Sequence, residues 1–292
     1  MPSQSKQKSL VADTSQGNRT LVLAVLAAGL FIAAYYPIFQ ILAMKWARSE
    51  DYTHAFFTVP IILYMGWLKR ERFVDGQGWH KTGLACMIMS TALYIVSLQL
   101  QIPSFIAISM VLTVSSTVLY LSGFRILREM FIPLLLLVLL IPIPDQLLSM
   151  VTASLQLKVS EASELIVNLF GIPLFREGNV LHIPQKTFQV VEACSGIRSL
   201  VSLVTLSLIL GYFSLKNPWF IGILVLLSVP VAVLVNIMRV VGLVLAFHYF
   251  QLDLSAGSQH TVMGLALFGI ALAVLFMLQR MLEHWETRKQ NS

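Results

Sequence analysis

Apolar runs long enough to cross a membrane recur along the chain, and they restrict its fold more than any other feature. A helix needs about 20 apolar residues to span the hydrocarbon core of a bilayer. Eight runs reach this length or come close to it: residues 21–44, 54–68, 83–100, 102–121, 126–144, 194–212, 219–238 and 262–278. The sequence therefore predicts an all-α polytopic membrane protein with about eight transmembrane helices.

The composition agrees with this class and argues against others. Hydrophobic residues make up 57% of the 292 residues and charged residues 12%, whereas soluble domains carry about 25% charged residues. The formal net charge is +6, but the basic residues are scattered between apolar runs, which membrane topology explains better than nucleic-acid binding. The only cysteines are Cys86 and Cys194, so we expect no disulfide framework. The expected environment is a lipid bilayer, with no nucleic acid as a partner.

The basic residues also predict the orientation of the chain. Lysine and arginine favour cytoplasmic segments, and a cytoplasmic N-terminus places most of them on that side. We therefore predict a disordered cytoplasmic leader (1–19), a transmembrane domain (20–282) and a cytoplasmic tail (283–292). The long segment 145–193 then faces outward.

This outer segment is expected to contain two kinds of element. Apolar residues at steps of three and four over 146–170 predict an amphipathic helix at the membrane interface. Residues 176–184 and 187–191 then predict a short β-like hairpin that turns at 184–186. The hairpin leads the chain directly to Cys194.

A reactive thiol is the most informative chemical feature of the sequence. Cys194 follows Glu192 by two residues and precedes Arg198 by four, at the start of the apolar run 194–212. Reactive cysteines occupy partly exposed, electropositive places, whereas structural cysteines are buried and inert. The predicted topology puts this thiol at the outer membrane surface, where it is suited to react with a membrane-anchored substrate.

Two further residues are predicted to reach the same level. The run that begins at Trp219 starts from the inner side, and a rise of about 1.5 Å per residue carries Arg239 roughly 30 Å, about one hydrocarbon core. His260 precedes the last run, which starts from the outer side. Cys194, Arg239 and His260 therefore converge from three helices.

Several segments together resemble the exosortases, a family of multi-pass bacterial membrane enzymes that act like sortases. The resemblance runs through most of the chain, and its most specific part is residues 192–200. The other parts are residues 46–54, 141–145, 176–180 and 236–239, and His260. It implies a bacterial inner-membrane protein that cleaves membrane-anchored proteins at a C-terminal sorting signal, made of a Pro-Glu-Pro-like motif, a membrane helix and a basic tail. Many members carry a further C-terminal domain linked to exopolysaccharide export, which we expect this chain, ending at Ser292, to lack.

The resemblance also implies a catalytic set of Cys194, Arg239 and His260. A thiolate attacks the scissile carbonyl and gives a thioester, a histidine supplies the proton that the leaving amine needs, and an arginine stabilises the oxyanion. The acceptor that resolves the thioester is unknown. No metal or cofactor is expected, and the residues predicted to bind substrate or support the site are Glu192, Arg198, Asn236, Asp51 and His54.

Each assignment has a simpler structural alternative. Cys194 could be an inert thiol at a helix start, Arg239 could extend to lipid headgroups, and His260 could be an interfacial cap. Arg198 lies one helical turn from Cys194 and competes with Arg239 for the oxyanion. We expect it instead to hold Glu192 or a carboxylate of the substrate.

Other functions are also open at this point. A transporter would carry polar residues near the bilayer midplane, whereas these runs are poor in ionisable residues. A membrane S-acyltransferase would keep the cysteine and the thioester but take its acyl group from a lipid. His182 could join Cys194 in a metal site, but the spacing of zinc motifs is missing.

Overall fold

The computed structural model describes residues 4–49, 51–74, 78–190, 196–254 and 257–291. These residues form ten helices: α1 (Gln4–Arg48), α2 (Ala55–Leu68), α3 (Arg70–Val74), α4 (His80–Gln99), α5 (Pro103–Glu129), α6 (Phe131–Leu139), α7 (Asp145–Leu169), α8 (Ile197–Ser214), α9 (Pro218–Phe250) and α10 (Gly257–Asn291). They also form three strands: β1 (Phe175–Glu177), β2 (Val180–Ile183) and β3 (Lys186–Gln189). The predicted class, a polytopic α-helical membrane protein with a small β element, is confirmed. Helix α1 begins inside the predicted leader, and the division into leader, domain and tail stays a prediction.

Six of the described helices are long and apolar enough to cross a membrane: α1, α4, α5, α8, α9 and α10. The predicted span at 54–68 is present as α2, but its 14 residues fall short of that length. The predicted span at 126–144 is wrong as a single helix. Helix α5 ends at Glu129, and α6 covers only the 9 residues Phe131–Leu139. Pro142 and Pro144 lack the backbone N–H that would extend α6 further.

Polar contacts hold the helix ends together at two opposite faces of the bundle. At one end, which we call the Lys45 face, Lys45 Nζ lies 3.1 Å from Asp145 and Trp46 Nε1 donates to the Leu140 carbonyl at 3.0 Å. At the other end, the Lys69 face, Lys69 lies 3.0 Å from Glu129. Each face therefore collects helix ends that the alternating course of the chain predicts on one side.

The buried Glu286 closes the Lys69 face. Its carboxylate accepts the backbone N–H groups of Lys216 (3.1 Å) and Asn217 (2.6 Å) in the turn before α9. A buried carboxylate must be hydrogen-bonded or paired to be tolerated. This contact joins the C-terminal part of α10 to the α8–α9 turn.

The centre of the bundle is a core of fully buried aliphatic side chains from α6, α8, α9 and α10. Leu136, Leu203, Leu224 and Leu275 are each 0% exposed. A second cluster joins α1 to α5. Burial of such side chains removes apolar surface from both water and lipid contact and fixes the relative positions of the helices.

The outer segment packs on the second half of α9. Helix α7 confirms the predicted amphipathic helix, and Val159 and Val167 share a buried cluster with Leu181, Phe188 and Val244. The predicted hairpin is instead a three-stranded antiparallel meander in the order β1-β2-β3. The extra turn arises at Gly178, whose φ of +63° is a conformation that glycine adopts without strain.

Candidate active site

Asn236 and Arg239 lie about one turn apart on α9. The helix starts at Pro218, and proline is tolerated there because the N–H of a first helical residue has no partner within the helix. The side chain of Asn217 accepts the N–H of Trp219 at 3.0 Å. From this start the helix rises roughly 30 Å to Arg239, about the thickness of the hydrocarbon core. Asn236 is buried and Arg239 is half-buried. Both therefore lie at the Lys45 face and pack against other helices.

The backbone at Gly196 approaches Asn236 closely. Gly196 caps the start of α8 with a φ of +80°, and a Cβ atom added there would lie 2.9 Å from both Cγ and Nδ2 of Asn236. Real Cβ atoms do not approach a neighbour so closely, and a side chain at this φ would also be strained. A glycine is therefore required here for α8 to begin beside Asn236.

A second glycine lies against Arg239. A Cβ atom added at Gly264 on α10 would lie 3.3 Å from Nη2 of Arg239, which is closer than most Cβ contacts in proteins. The guanidinium therefore packs closely against the backbone of Gly264. His260 lies one turn before Gly264 in the helical backbone of α10, and its side chain is outside what the structure describes. The α9 turn from Asn236 to Arg239 thus contacts the start of α8 on one side and α10 on the other.

An ion pair ties the loop before α2 to α8. Nε of Arg198 donates to Oδ1 of Asp51 at 3.2 Å, and both side chains are partly exposed. The hydroxyl of Tyr52, which is buried, accepts the backbone N–H of Ile143 at 3.0 Å. Burial raises the pKa of Tyr52, so its hydroxyl stays neutral. The loop is therefore fixed between the turn before α7 and the first turn of α8, with Asp51 as a partner of Arg198 that sequence analysis did not propose.

His54 is the second ionisable residue of this loop, and it immediately precedes α2. Its Nε2 atom is buried and has no hydrogen-bond partner among the described residues. Burial lowers the pKa of His54, against the opposing effects of a hydrogen bond to the Asp51 backbone and of the Asp51 charge. The imidazole is therefore neutral at pH 7. If the ring donates to the Asp51 backbone through Nδ1, the orphan Nε2 is an acceptor.

Contacts with other elements fix the end of the β-sheet at Val190. Asn179, in the turn between β1 and β2, accepts the backbone N–H of Val190 with its carbonyl (2.9 Å) and donates from Nδ2 to the Val190 carbonyl (3.1 Å). Lys186 on β3 pairs with Asp253 and lies 5.0 Å from the centre of the Phe247 ring. These contacts anchor the strand to the end of α9, so the chain leaves the sheet from a defined point.

The predicted metal alternative finds no support in the part of the chain that is described. No group of three or more His, Cys, Asp and Glu side chains there is arranged to hold a metal. His182 makes other contacts: its Nδ1 lies 3.1 Å from the Thr187 hydroxyl and its Nε2 lies 3.9 Å from Glu177. These contacts pack the His182 side chain against the neighbouring strands of the β-sheet.

The structure describes the side chains of five of the eight predicted site residues, and the roles predicted for all eight stay predictions. Arg239 with Asn236, and Arg198 with Asp51 and His54, lie at the Lys45 face. Cys194 and Glu192 lie outside the described residues, as does the side chain of His260. Sequence analysis did not assign Gly264 and Tyr52 to the site. One feature of the sequence could have identified Gly264: it is a small residue one helical turn after His260.

Comparisons with known proteins agree with the earlier resemblance. A family model described as transmembrane exosortase (Exosortase_EpsH) matches residues 46–277, well over half of the chain. No curated protein and no solved structure matches significantly. The match includes the loop before α2, the sheet, the start of α8, the α9 turn and position 260.

Proposed function

The chain belongs to the transmembrane exosortase family, and we propose that it is a membrane-embedded cysteine transpeptidase or protease that removes C-terminal sorting signals from exported proteins. A sorting role is the general function of the family. The observation that carries the proposal is the α9 turn, which contacts Gly196 through Asn236 and Gly264 through Arg239. Cys194 precedes Gly196 by two residues, and His260 precedes Gly264 by four.

The proposed reaction begins with the thiolate of Cys194. It attacks the scissile carbonyl carbon, and Arg239, always charged, stabilises the oxyanion that forms. The C–N bond then breaks, and His260 gives its proton to the leaving amine, so that a thioester remains on Cys194. Water or an acceptor nucleophile attacks this thioester, gives its proton to His260 and releases the thiolate.

The loop before α2 is proposed to hold the substrate segment next to the scissile bond. Asp51 pairs with Arg198 on the first turn of α8, and Arg239 is proposed to serve the oxyanion from the α9 turn. His54, which immediately precedes α2, is proposed to support this loop. Glu192 and Asn236 complete this supporting set, Asn236 by packing on Gly196.

The substrate is proposed to enter laterally from the bilayer, with its motif on the periplasmic side of the bacterial inner membrane. Helix α7 presents exposed apolar side chains, including Leu147, Met150, Leu165 and Leu169, on the side away from α9. An apolar face of this kind suits a helix that lies in the membrane interface. The Lys45 face is accordingly proposed to be the periplasmic face.

Co-expression with a protein that carries a C-terminal sorting signal tests the proposal. The native chain is expected to shorten this protein, and Cys194→Ala is expected to leave it intact. Cys86→Ala removes the other thiol, which is exposed on α4, and is expected to process normally. Normal processing by Cys194→Ala would refute the proposal. Transfer of a labelled lipid acyl group to Cys194 without shortening would favour the S-acyltransferase instead.

Trapping experiments assign the role of the histidine. If His260 donates the proton to the leaving amine, His260→Ala forms little thioester. Accumulation of a substrate thioester on Cys194 in this variant would instead place His260 in the resolution step. Mass spectrometry of the purified variant after co-expression distinguishes the two results.

A further inference from the structure

A cavity of about 280 Å³ opens at the Lys45 face, outside the candidate active site. It lies between the last turns of α1, the start of α5 and the turn before α7. Its walls are apolar, with the buried Ile38 and Leu42 on one side and Pro103 and Ile143 on the other. The only charged residues that line it are Lys45 and Asp145.

The cavity lies at the depth of the membrane interface. Two apolar membrane-spanning helices, α1 and α5, end or begin beside it. Ile41 and Ile143 line it and are still 38% and 40% exposed, and the neighbouring Phe105 is 46% exposed. Apolar side chains exposed at this level face lipid, so the opening is accessible from the bilayer. At about 280 Å³ it lies near the lower end of ligand pockets, which range from about 300 to 1,000 Å³, so it suits part of a lipid.

The two charges at this cavity differ in exposure. Lys45 Nζ and Asp145 Oδ1 are 3.1 Å apart, but the side chain of Lys45 is 41% exposed and that of Asp145 is 82% exposed. The cation is therefore the less exposed of the two charges, nearer the cavity wall, and the carboxylate is the more exposed one. A zwitterionic phospholipid carries its charges in the complementary order, because the phosphate is attached to the glycerol and the ammonium lies beyond it.

We propose that this cavity is a binding site for one phospholipid whose headgroup carries a primary ammonium, such as phosphatidylethanolamine. Part of an acyl chain fills the apolar cavity, the phosphate accepts from Lys45 Nζ, and the ammonium donates to Asp145. A quaternary ammonium has no N–H to donate to Asp145. A purely anionic headgroup brings a like charge next to that carboxylate. The site is therefore selective for the primary ammonium.

Lipid binding at this place also supports the active-site loop. The cavity wall includes Ile143, whose backbone N–H is held by Tyr52. Tyr52 follows Asp51, the partner of Arg198. An occupant that packs against Ile143 therefore stabilises the turn on which the loop rests.

Native mass spectrometry of the full chain tests the site. The protein is released from micelles that contain equimolar phosphatidylethanolamine, phosphatidylcholine and phosphatidylglycerol with identical acyl chains. We expect the first retained lipid to be phosphatidylethanolamine, by at least fivefold over each of the others. Equal retention of the three lipids, or preferential retention of phosphatidylglycerol on Lys45 alone, would overturn the proposal.

Two variants separate the site from general lipid adhesion. The double variant Lys45→Asp with Asp145→Lys keeps an ion pair but reverses the order of the charges, and we expect it to lose the preference. Ile41→Trp fills the cavity without changing a charge and is expected to lower retention at least threefold. Ile95→Trp, on an exposed apolar position of α4 away from the cavity, is the matched control with native retention. Native preference in both the reversed variant and Ile41→Trp would place the lipid elsewhere.

Discussion

Nε of Arg198 lies 3.2 Å from Oδ1 of Asp51, although the two residues are separated by 147 positions in the chain. This ion pair connects the loop before α2 to the first turn of α8. We therefore predict that Arg198 positions this loop and that Arg239, beside Gly264, serves the reacting carbonyl. These two roles distinguish the guanidinium groups that the sequence leaves in competition.

Neutralising Asp51 is expected to change activity more than stability. The pair is partly exposed, so its loss costs at most about 1 kcal/mol of unfolding free energy. We expect Asp51→Asn to lower the processing rate by about tenfold, because the loop and Arg198 lose their alignment, which corresponds to about 1.4 kcal/mol in the barrier. Glu71→Gln, which breaks an exposed ion pair with Arg70 at the Lys69 face, serves as the control. Equal rates for Asp51→Asn and Glu71→Gln would contradict a role for the pair.

The two arginines are expected to respond differently to lysine. Lysine keeps the charge but lacks the planar fork of donors. Since loss of an oxyanion donor costs roughly 10²–10³ in rate, Arg239→Lys should reduce processing about 100-fold, and Arg198→Lys less than tenfold. Rates of substrate shortening in membranes measure both. The reverse order would assign the oxyanion to Arg198.

A methyl group at position 264 should displace the Arg239 guanidinium. We expect Gly264→Ala to slow processing by about tenfold or more, because the added Cβ would lie 3.3 Å from Nη2. The matched control is Gly269→Ala on the same helix, where no atom lies within 4 Å of the added Cβ. Alanine there should stabilise the helix by about 0.4–1 kcal/mol and leave processing unchanged. Thermal unfolding in detergent and processing assays on both variants distinguish displacement of Arg239 from a general effect on α10.

A side chain at position 196 should be more harmful than one at another left-handed glycine. Gly196 and Gly171 have φ angles of +80° and +76°. A Cβ atom added at Gly196 would contact Asn236, whereas one added at Gly171 would have no atom within 4 Å. A left-handed conformation alone costs about 1–2 kcal/mol, which we expect for Gly171→Ala. Gly196→Ala should cost more and should abolish processing, because α8 can no longer begin beside Asn236. Similar unfolding midpoints for the two variants would show that the contact with Asn236 does not matter.

The half-buried His54 predicts a pH dependence of stability. Burial lowers its pKa in the folded protein below the ordinary 6.5, so below pH 6.5 the unfolded chain binds the proton more readily than the folded one. The contribution of neutral His54 to the free energy of unfolding is therefore fully present above about pH 6.5, and it is lost as the pH is lowered. His54→Gln should flatten the decline of the unfolding midpoint between pH 7 and pH 5. A parallel decline in both proteins would show that His54 is not the responsible group.

The membrane class of the chain followed directly from its apolar runs. A bilayer accepts only helices and closed β-barrels, and continuous apolar runs of about 20 residues are typical of helices. Six of the eight predicted runs correspond to long helices that start or end near the expected residues. The run 126–144 failed because a count of apolar residues does not register where a helix stops. Helix α5 ends at Glu129, whose carboxylate is held at the Lys69 face by Lys69 and Arg72.

Part of the candidate site could also be predicted from the sequence, and part of it depends on the tertiary structure. The residue types around Cys194, the asparagine and arginine of α9 and His260 indicated the chemistry, and helical rise predicted that Arg239 lies about 30 Å from the start of its helix. The pairing of Asp51 with Arg198, and the approach of Gly196 and Gly264 to the α9 turn, depend on how distant helices pack. Periodicity reports which face of one helix is apolar, whereas close approach between two helices depends on the shapes of both surfaces. The sequence alone therefore determined the membrane class and the reactive residue types, and tertiary packing decided which of them meet.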